Sequence, residues 1–215
     1  MLGRRVKPWV FTECFIPLAL LVWHGLTGGL SANPIEDITH RTGDWTLRFL
    51  LVALAVTPLR RLTGWAVLAS FRRMFGLFAF FYAVLHFTTY LVLDFFFAFD
   101  LILDDIVERR YITAGFAGFL MLVPLALTST ARMTRRLGGE RWRQVHRLVY
   151  VAAVAGVVHY LWLVKIDIRP PLLYAGILTV LLGARLWLRF APRVLQAKIV
   201  REATARSTQS RVASG

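Results

Sequence analysis

Residues Phe75–Phe97 read FGLFAFFYAVLHFTTYLVLDFFF, an almost unbroken apolar segment with His86 near its middle. About 20 apolar residues are enough for an α-helix to cross a bilayer. Similar segments recur along the 215-residue chain, which is 57% apolar and has a mean hydropathy of +0.59. Six of them would use about 120 residues and leave too little chain for a soluble nucleotide-binding domain. The sequence therefore predicts an all-α fold, a bundle of six transmembrane helices.

Glycine and proline residues set the predicted helix ends, because both interrupt regular helices. Gly28 follows the first helix, Pro58 closes the second, and Pro170 precedes the sixth. The predicted spans are Val10–Leu26, Trp45–Leu59, Phe75–Phe97, Ile112–Leu127, Val145–Val164 and Leu172–Leu188. The first could also be a cleaved signal peptide, but Pro17 within it favours a retained span.

The charges predict the orientation of the bundle. Most of the 26 Lys and Arg residues lie in the N-terminal stretch, the second and fourth connections and the C-terminal part. Because Lys and Arg collect on the cytoplasmic side, both termini should be cytoplasmic. Residues 1–193 are the expected membrane domain and 194–215 a basic, mobile tail near anionic headgroups. The first and third connections are acidic instead, and should steer a basic soluble partner.

Three histidines lie inside predicted spans, His86 on the third and His146 and His159 on the fifth. An ionisable residue within a span indicates a functional site, and neutral imidazole is an axial ligand of haem iron. Counting along the helices places His86 and His159 roughly 20 and 24 Å above the cytoplasmic arginines, so one haem could join them. His146 should lie about 20 Å nearer the cytoplasm and roughly 140° around the helix from His159. It serves another site, or Gly156 permits a local distortion.

Several observations leave alternatives open. Small residues share a face with each histidine: Gly76, Ala79 and Ala83 on the third helix and Ala152, Ala155 and Gly156 on the fifth. Taken alone they fit either close helix packing or room for a macrocycle, and together with two histidines at matched depth they favour a macrocycle. A transporter whose histidines relay protons is the rival function. His24 and His40 are weaker candidates, the first interfacial and the second in the acidic connection Ile35–Asp44. The single cysteine, Cys14, excludes an internal disulfide, an iron–sulfur cluster and a Cys-based zinc site.

Five stretches, taken in order, resemble the ferric-reductase-like transmembrane superfamily and, within it, the MsrQ (YedZ) family. They are Gly29–His40 (GLSANPIEDITH), Arg72–Tyr90 (RRMFGLFAFFYAVLHFTTY), Leu125–Thr130 (LALTST), Trp142–Tyr150 (WRQVHRLVY) and His159–Ile166 (HYLWLVKI). The resemblance covers about residues 10–190. Each stretch is weak by itself, and the specificity comes from their order.

The resemblance implies an electron-transfer subunit of a bacterial inner membrane. It implies haem b held by His86, His146 and His159, an associated FMN, and electrons drawn from the quinone pool. The implied acceptor is a periplasmic molybdopterin reductase, MsrP, which repairs oxidised methionines. A cytosolic flavin reductase is the alternative donor.

The chain departs from the related oxidases at Arg72 and Arg73, where those proteins carry a second histidine. The cytoplasmic haem site therefore appears in the sequence with only one of its two histidine ligands. Either arginine could instead bind a haem propionate or the FMN phosphate, because a guanidinium group binds both as a fork.

Overall fold

A computed structural model describes residues 2–190, 201, 202 and 204, and this part of the chain is helical without any strand. Its α-helices are α1 (Leu2–Glu13), α2 (Ile16–Thr27), α3 (Pro34–Thr63), α4 (Ala69–Thr88), α5 (Phe99–Glu108), α6 (Arg110–Leu127), α7 (Ala131–Val145), α8 (Leu148–Leu163) and α9 (Arg169–Phe190). A 3-10 turn, Ala66–Leu68, precedes α4, and a π-helical turn, Thr89–Asp94, follows it. The predicted tail, residues 194–215, lies outside the described residues except for 201, 202 and 204.

Four helical stretches in the described residues are long and apolar enough to cross a membrane. They are Val6–Thr27, Ala66–Asp94, Arg110–Leu127 and Arg169–Phe190. Helices α7 and α8 pass the same test together across a bend of 42°, which gives up to five crossings. Helix α3 is not among them, since Asp44 and Arg48 interrupt its apolar stretch. The all-helical, multi-pass fold is confirmed, and the number of six crossings stays a prediction.

Two helix pairs form the body of the bundle. Helix α3 packs along α4, α6 packs along α8, and α9 lies against α3 and α8. The shared core takes Leu50 and Leu54 from α3, Tyr82 from α4, Ala153 from α8 and Leu178 from α9. The charges divide the bundle into a basic end, with Arg60, Arg61, Arg72, Arg73 and helix α7, and an acidic end, with Glu36, Asp37 and helix α5.

Helix α3 is longer than the predicted second span at both ends. The segment Ile35–Asp44, predicted as a connection, forms its first turns. The helix begins there because the Asn33 side chain accepts a hydrogen bond from the Glu36 amide and Pro34 occupies the first turn. Pro58 does not close the helix, which continues to Thr63 and ends where Gly64 takes a left-handed conformation, φ 73°.

Other predicted boundaries also change. The first predicted span is broken at Cys14–Phe15 between α1 and α2. The third leaves α-helical geometry after Thr88, and Phe96 and Phe97 have positive φ angles of 47° and 61°. The third and fourth connections, expected to be loops, contain the helices α5 and α7.

Arg185 on α9 explains how α3 continues past Pro58. Proline has no amide hydrogen, so the carbonyl of Leu54, four residues earlier, loses its helical donor. Arg185 donates to that oxygen from Nε at 3.1 Å and from a terminal nitrogen at 2.5 Å. Its other terminal nitrogen donates to the Tyr150 hydroxyl at 2.8 Å. One guanidinium group therefore joins α3, α8 and α9.

We expect Arg185→Met to cost about 1–3 kcal/mol of stability, because it leaves the buried Leu54 carbonyl unpaired. In a Pro58→Ala background the loss should be smaller, since the new amide at position 58 can donate to that carbonyl. Tyr150→Phe is the matched control and should cost the same in both backgrounds. Unfolding in mixed micelles gives the double-mutant cycle. Equal losses for Arg185→Met with and without Pro58 would contradict this account.

Candidate cofactor site

His86 and His159 come together between the two helix pairs, near the acidic end. Their ring centroids are 6.0 Å apart and the ring planes make an angle of 78°. His86 lies in the last turn of α4, and His159 lies in the second half of α8. Both side chains are half-buried. The structure therefore places side by side the two histidines for which the sequence predicts matching depth.

Each imidazole is oriented by a backbone carbonyl of the partner helix. His86 Nδ1 donates to the Thr39 carbonyl on α3 at 2.9 Å, and His159 Nδ1 donates to the Tyr111 carbonyl on α6 at 2.6 Å. A carbonyl oxygen has two lone pairs, so it can serve its own helix and a histidine together. The proton on Nδ1 leaves Nε2 as the unprotonated nitrogen, the form in which imidazole binds a metal.

A glycine lies four residues after each of these carbonyls and makes room for the ring. A Cβ at Gly43 would lie 3.1 Å from both Nδ1 and Cε1 of His86. At Gly115 it would lie 2.7 Å from Nδ1 of His159, closer than real Cβ atoms come. Thr39, Gly43, Tyr111 and Gly115 therefore belong to the site, although the sequence analysis missed them. The only signal in the sequence is at Gly115, an isolated glycine in an apolar span, because Gly43 falls in the predicted connection Ile35–Asp44.

The distance between the two ring centroids fits two imidazoles that bind one metal centre. Two metal–nitrogen bonds of about 2 Å, with about 1 Å more to each ring centre, would separate the ring centres by roughly 6 Å. In the described part of the chain, every fully buried side-chain nitrogen or oxygen has a hydrogen-bond partner. The Nε2 atoms of His86 and His159 have no such partner there, so they are not fully buried. The two free nitrogens are thus accessible.

The donor set favours a metal that brings its own equatorial ligands. No group of three or more His, Cys, Asp or Glu side chains within the described residues could hold a metal ion. A bare transition-metal ion usually takes at least three protein ligands, whereas a porphyrin supplies four nitrogens and needs only axial ones. The residues present therefore fit a haem iron.

The small-residue stripes serve mainly to bring helices together. Ala79 and Ala152 are buried in the core. A Cβ at Gly118 on α6 would lie 3.4 Å from the Ala155 Cβ, so the α8 stripe lets α6 approach closely. A Cβ at Gly76 on α4 would meet nothing within 4 Å. Close packing explains most of these positions, and room for a macrocycle is not needed to account for them.

A network of four polar side chains lies next to the histidine pair, at the acidic end of the bundle. Asp105 on α5 is buried, accepts from the Tyr90 hydroxyl at 2.9 Å and pairs with Arg109 Nε at 2.8 Å. Arg109 also donates to the Tyr111 hydroxyl at 3.2 Å. Tyr90 follows His86 by four residues, and the Tyr111 carbonyl holds His159. The network therefore ties together the chain segments that position both rings.

His146 lies apart from this pair, toward the basic end. It caps the C-terminus of α7, before α8 begins at Leu148. The predicted placement on the same helix as His159 is therefore wrong, and the angle estimated on one ideal helix does not apply. Its ring stacks on Trp142 with centroids 3.9 Å apart.

Hydrogen bonds at the basic end hold His146 in the other tautomer. The Thr128 hydroxyl donates to the Pro124 carbonyl at 2.6 Å, so it accepts from His146 Nε2 at 3.2 Å. Arg72 lies in the first turn of α4, at this end of the bundle, and is exposed. Arg73 is exposed beside it on α4.

The two weaker histidine candidates lie outside the pair. His24 Nδ1 donates to the Leu20 carbonyl of its own helix at 2.7 Å, as expected for an interfacial polar residue. His40 is exposed on α3, one residue after Thr39.

Comparison with known proteins gives the class of this chain. Residues 42–157 match the family profile described as ferric reductase like transmembrane component, a stretch that includes Gly43, His86, Gly115 and His146. The chain therefore belongs to the ferric-reductase-like transmembrane family.

Curated relatives narrow the family further. The chain is 55% identical over 180 residues to a protein of Rhodospirillum rubrum, covering 82% of this chain and 85% of the relative. It is 51% identical over 184 residues to one of Herminiimonas arsenicoxydans, covering 85% and 84%. It is 50% identical over 198 residues to one of Xanthomonas oryzae pv. oryzae, covering 89% and 90%. Each is named protein-methionine-sulfoxide reductase heme-binding subunit MsrQ, so within the larger family the chain belongs to the MsrQ family.

Proposed function

We propose that this chain is a membrane b-type cytochrome subunit that carries electrons from the quinone pool to a periplasmic methionine sulfoxide reductase, MsrP. The observation that carries the proposal is the His86–His159 pair, with ring centroids 6.0 Å apart and both Nδ1 atoms bonded to carbonyls. The relatives' name, a heme-binding subunit of that reductase system, supports it.

His86 and His159 would be the axial ligands of one haem b through their Nε2 atoms. When bound, haem supplies an iron that takes up and releases single electrons. The protein contributes the ligands and their orientation. A hydrogen bond from Nδ1 to a carbonyl fixes the ring and raises the basicity of Nε2, which tunes the affinity and the reduction potential.

The topology proposed for this function has six crossings with both termini in the cytoplasm. They are α1 and α2 as one span, then α3, α4, α6, α8 and α9. Helix α3 is counted because it packs along α4 with many of its side chains buried between Leu47 and Pro58. The excess of Lys and Arg at the basic end supports a cytoplasmic location for that end of a bacterial inner membrane.

This orientation puts the histidine pair near the periplasm, where a soluble acceptor can dock. The acidic end presents Asp100, Asp104 and Glu108 as an exposed row along α5. Such a row steers the encounter with a basic patch on the acceptor more than it adds affinity. MsrP is proposed to dock on this row.

A second cofactor site is proposed at the basic end, with FMN as its occupant. Arg72 and Arg73 are consecutive residues near the start of α4, where their guanidinium groups can bind the FMN phosphate. His146, at the C-cap of α7, lies at the same end of the bundle and would contact the same cofactor. Ligation of a second haem by His146 also stays a prediction, and it requires that Nε2 leave Thr128.

We expect His86→Ala and His159→Ala each to remove most of the Soret absorbance of the purified protein, because either change removes an axial ligand. Haem reduction by quinol and reoxidation by MsrP should be lost with it. His40→Ala is the control, since that ring is exposed on α3 outside the pair. A wild-type protein without colour would instead favour the transporter. Full haem retention in either variant of the pair would show that the ligands lie elsewhere.

Gly43→Ala and Gly115→Ala should lower haem content without removing any ligand. The added methyl group would displace the imidazole from its carbonyl, more severely at Gly115, where the contact is shorter. Gly76→Ala on α4 is the matched control, because nothing lies near its Cβ position. The measurement is Soret absorbance per protein, with the melting temperature as a check on folding. Normal haem content in Gly115→Ala would contradict the proposed ring orientation.

Arg72→Gln and Arg73→Gln should each lower the FMN that copurifies with the protein, by about tenfold for the loss of one charge-assisted contact. Arg60→Gln is the control, an exposed arginine at the same end. FMN is released with acid and measured by its fluorescence, while the Soret band reports the histidine pair. FMN content unaffected by both substitutions would remove these arginines from the flavin site.

A further inference from the structure

A second polar cluster lies beside the histidine pair, between α3 and α9. Arg48 pairs with Asp44, one turn earlier on α3, at 3.3 Å, and its Nε donates to the Tyr174 hydroxyl on α9 at 2.8 Å. The guanidinium group lies 4.8 Å from the centre of the Trp45 ring. The Tyr160 ring on α8 lies 6.0 Å from that of Tyr174. We call these five residues the α3–α9 cluster.

The cluster opens onto the apolar outer surface of the bundle. The side chains of Arg48 and Asp44 are 44% and 31% exposed. Val52, one turn further along α3, and Leu173 and Ile177 on α9 are exposed too. Arg48 lies about 21 Å along α3 from its first residue, well within a crossing helix. An ion pair that opens onto lipid at this depth is costly, and such residues generally mark a functional site.

The chemistry of the cluster matches a lipid-soluble ligand with an aromatic ring and polar oxygens. Arg48 carries five N–H groups, and its bonds to Tyr174 and Asp44 leave donors for a carbonyl oxygen. The Asp44 carboxylate can accept from a hydroxyl group. The rings of Trp45, Tyr160 and Tyr174 make the surroundings of the ion pair aromatic, and the exposed aliphatic side chains offer an apolar surface.

We propose that the α3–α9 cluster binds the ring of a quinol that enters from the bilayer, with Arg48 donating to one oxygen and Asp44 accepting from a hydroxyl. The inference rests on the proposed function, in which quinol is the electron donor. It adds the place where quinol binds. The cluster is adjacent to the histidine pair along two helices. Asp44 follows Gly43, which touches His86, and Tyr160 follows His159.

Helix α3 offers a matched control for this site. Asp37 and Arg41 form an ion pair with the same four-residue spacing, at 2.7 Å. They precede Asp44 and Arg48 by seven residues, two helical turns, and so lie on nearly the same face of the helix. This first pair lies at the acidic end, outside the apolar stretch of α3. A quinol in the bilayer should therefore use only the second pair.

The kinetic test uses the haem-loaded protein in lipid vesicles with a short-chain ubiquinol as donor. Arg48→Gln and Asp44→Asn should each raise the KM for ubiquinol about tenfold, because each removes a charge-assisted hydrogen bond. Asp37→Asn and Arg41→Gln should change it less than twofold. Haem content and the dithionite-reduced spectrum should match the wild type in all four. An unchanged KM in the first two, or a loss confined to stability, would mean that the cluster only joins α3 to α9.

Tyr174→Phe keeps the proposal testable if the charge variants fail to fold. It removes only the hydroxyl that accepts from Arg48 Nε. We expect a smaller rise in KM, about threefold, with normal haem content. No rise in a well-folded Tyr174→Phe protein would count against the cluster.

A binding test separates the site from its role as electron donor. Photolysis of an azido-ubiquinone with the wild-type protein should label peptides that contain Trp45 or Tyr174, and excess ubiquinone should suppress the labelling. Labelling there without haem reduction by ubiquinol would support the site and reject the proposed donor. Normal reduction by ubiquinol with labelling on other helices would reject the site and leave the proposed function intact.

Discussion

Two hydrogen bonds from histidine to a backbone carbonyl set the geometry on which the site depends. Each requires that a helical carbonyl accept a second donor, and the approach is open only because the residue four positions later is glycine. The arrangement occurs twice. In the pair α3 and α4, the Thr39 carbonyl accepts from His86, 47 residues away, beside Gly43. In the pair α6 and α8, the Tyr111 carbonyl accepts from His159, 48 residues away, beside Gly115. Each helix pair therefore contributes one oriented imidazole, and the packing of the two helix pairs against each other brings the rings together.

The sequence predicted the histidine pair but not what orients it. Distances from the basic end can be counted along apolar helices, since the rise per residue is constant, and the similar values of roughly 20 and 24 Å match His86 with His159. Gly43 lies in the segment Ile35–Asp44, where the charges indicate a connection and a glycine is expected. Gly115 lies in an apolar span, where a glycine fits close packing equally well, as Gly118 does against Ala155. Only the contact between helices distinguishes Gly43 and Gly115 from Gly118. Such contacts join residues far apart in the chain, and neither composition nor periodicity indicates them.

The failed predictions arise where one local signal competes with another, with a tertiary contact or with a bend in the chain. Pro58 normally ends a helix, but Arg185 supplies the donor that the Leu54 carbonyl lacks, so α3 continues. The acidic segment Ile35–Asp44 reads as a loop by charge, yet an Asn33 cap and Pro34 begin a helix there. His146 was placed on a continuous fifth helix, whereas the chain bends by 42° between α7 and α8. His146 therefore caps α7 and stacks on Trp142, one turn earlier on the same helix, away from His159.

Helix α3 is the least apolar of the central helices, and its polar groups hold the bundle together. Its polar groups are each used by a different neighbour. The Thr39 carbonyl holds His86, Arg48 reaches Tyr174 on α9, and the Leu54 carbonyl accepts from Arg185. A helix surrounded only by lipid could not carry the Arg48 charge or a Leu54 carbonyl without a donor, because every unpaired polar atom in hydrocarbon costs several kcal/mol. The apolar helices around α3 therefore provide the partners that allow it to be polar, and α3 in turn places a histidine site and an ion pair open to lipid on adjacent residues.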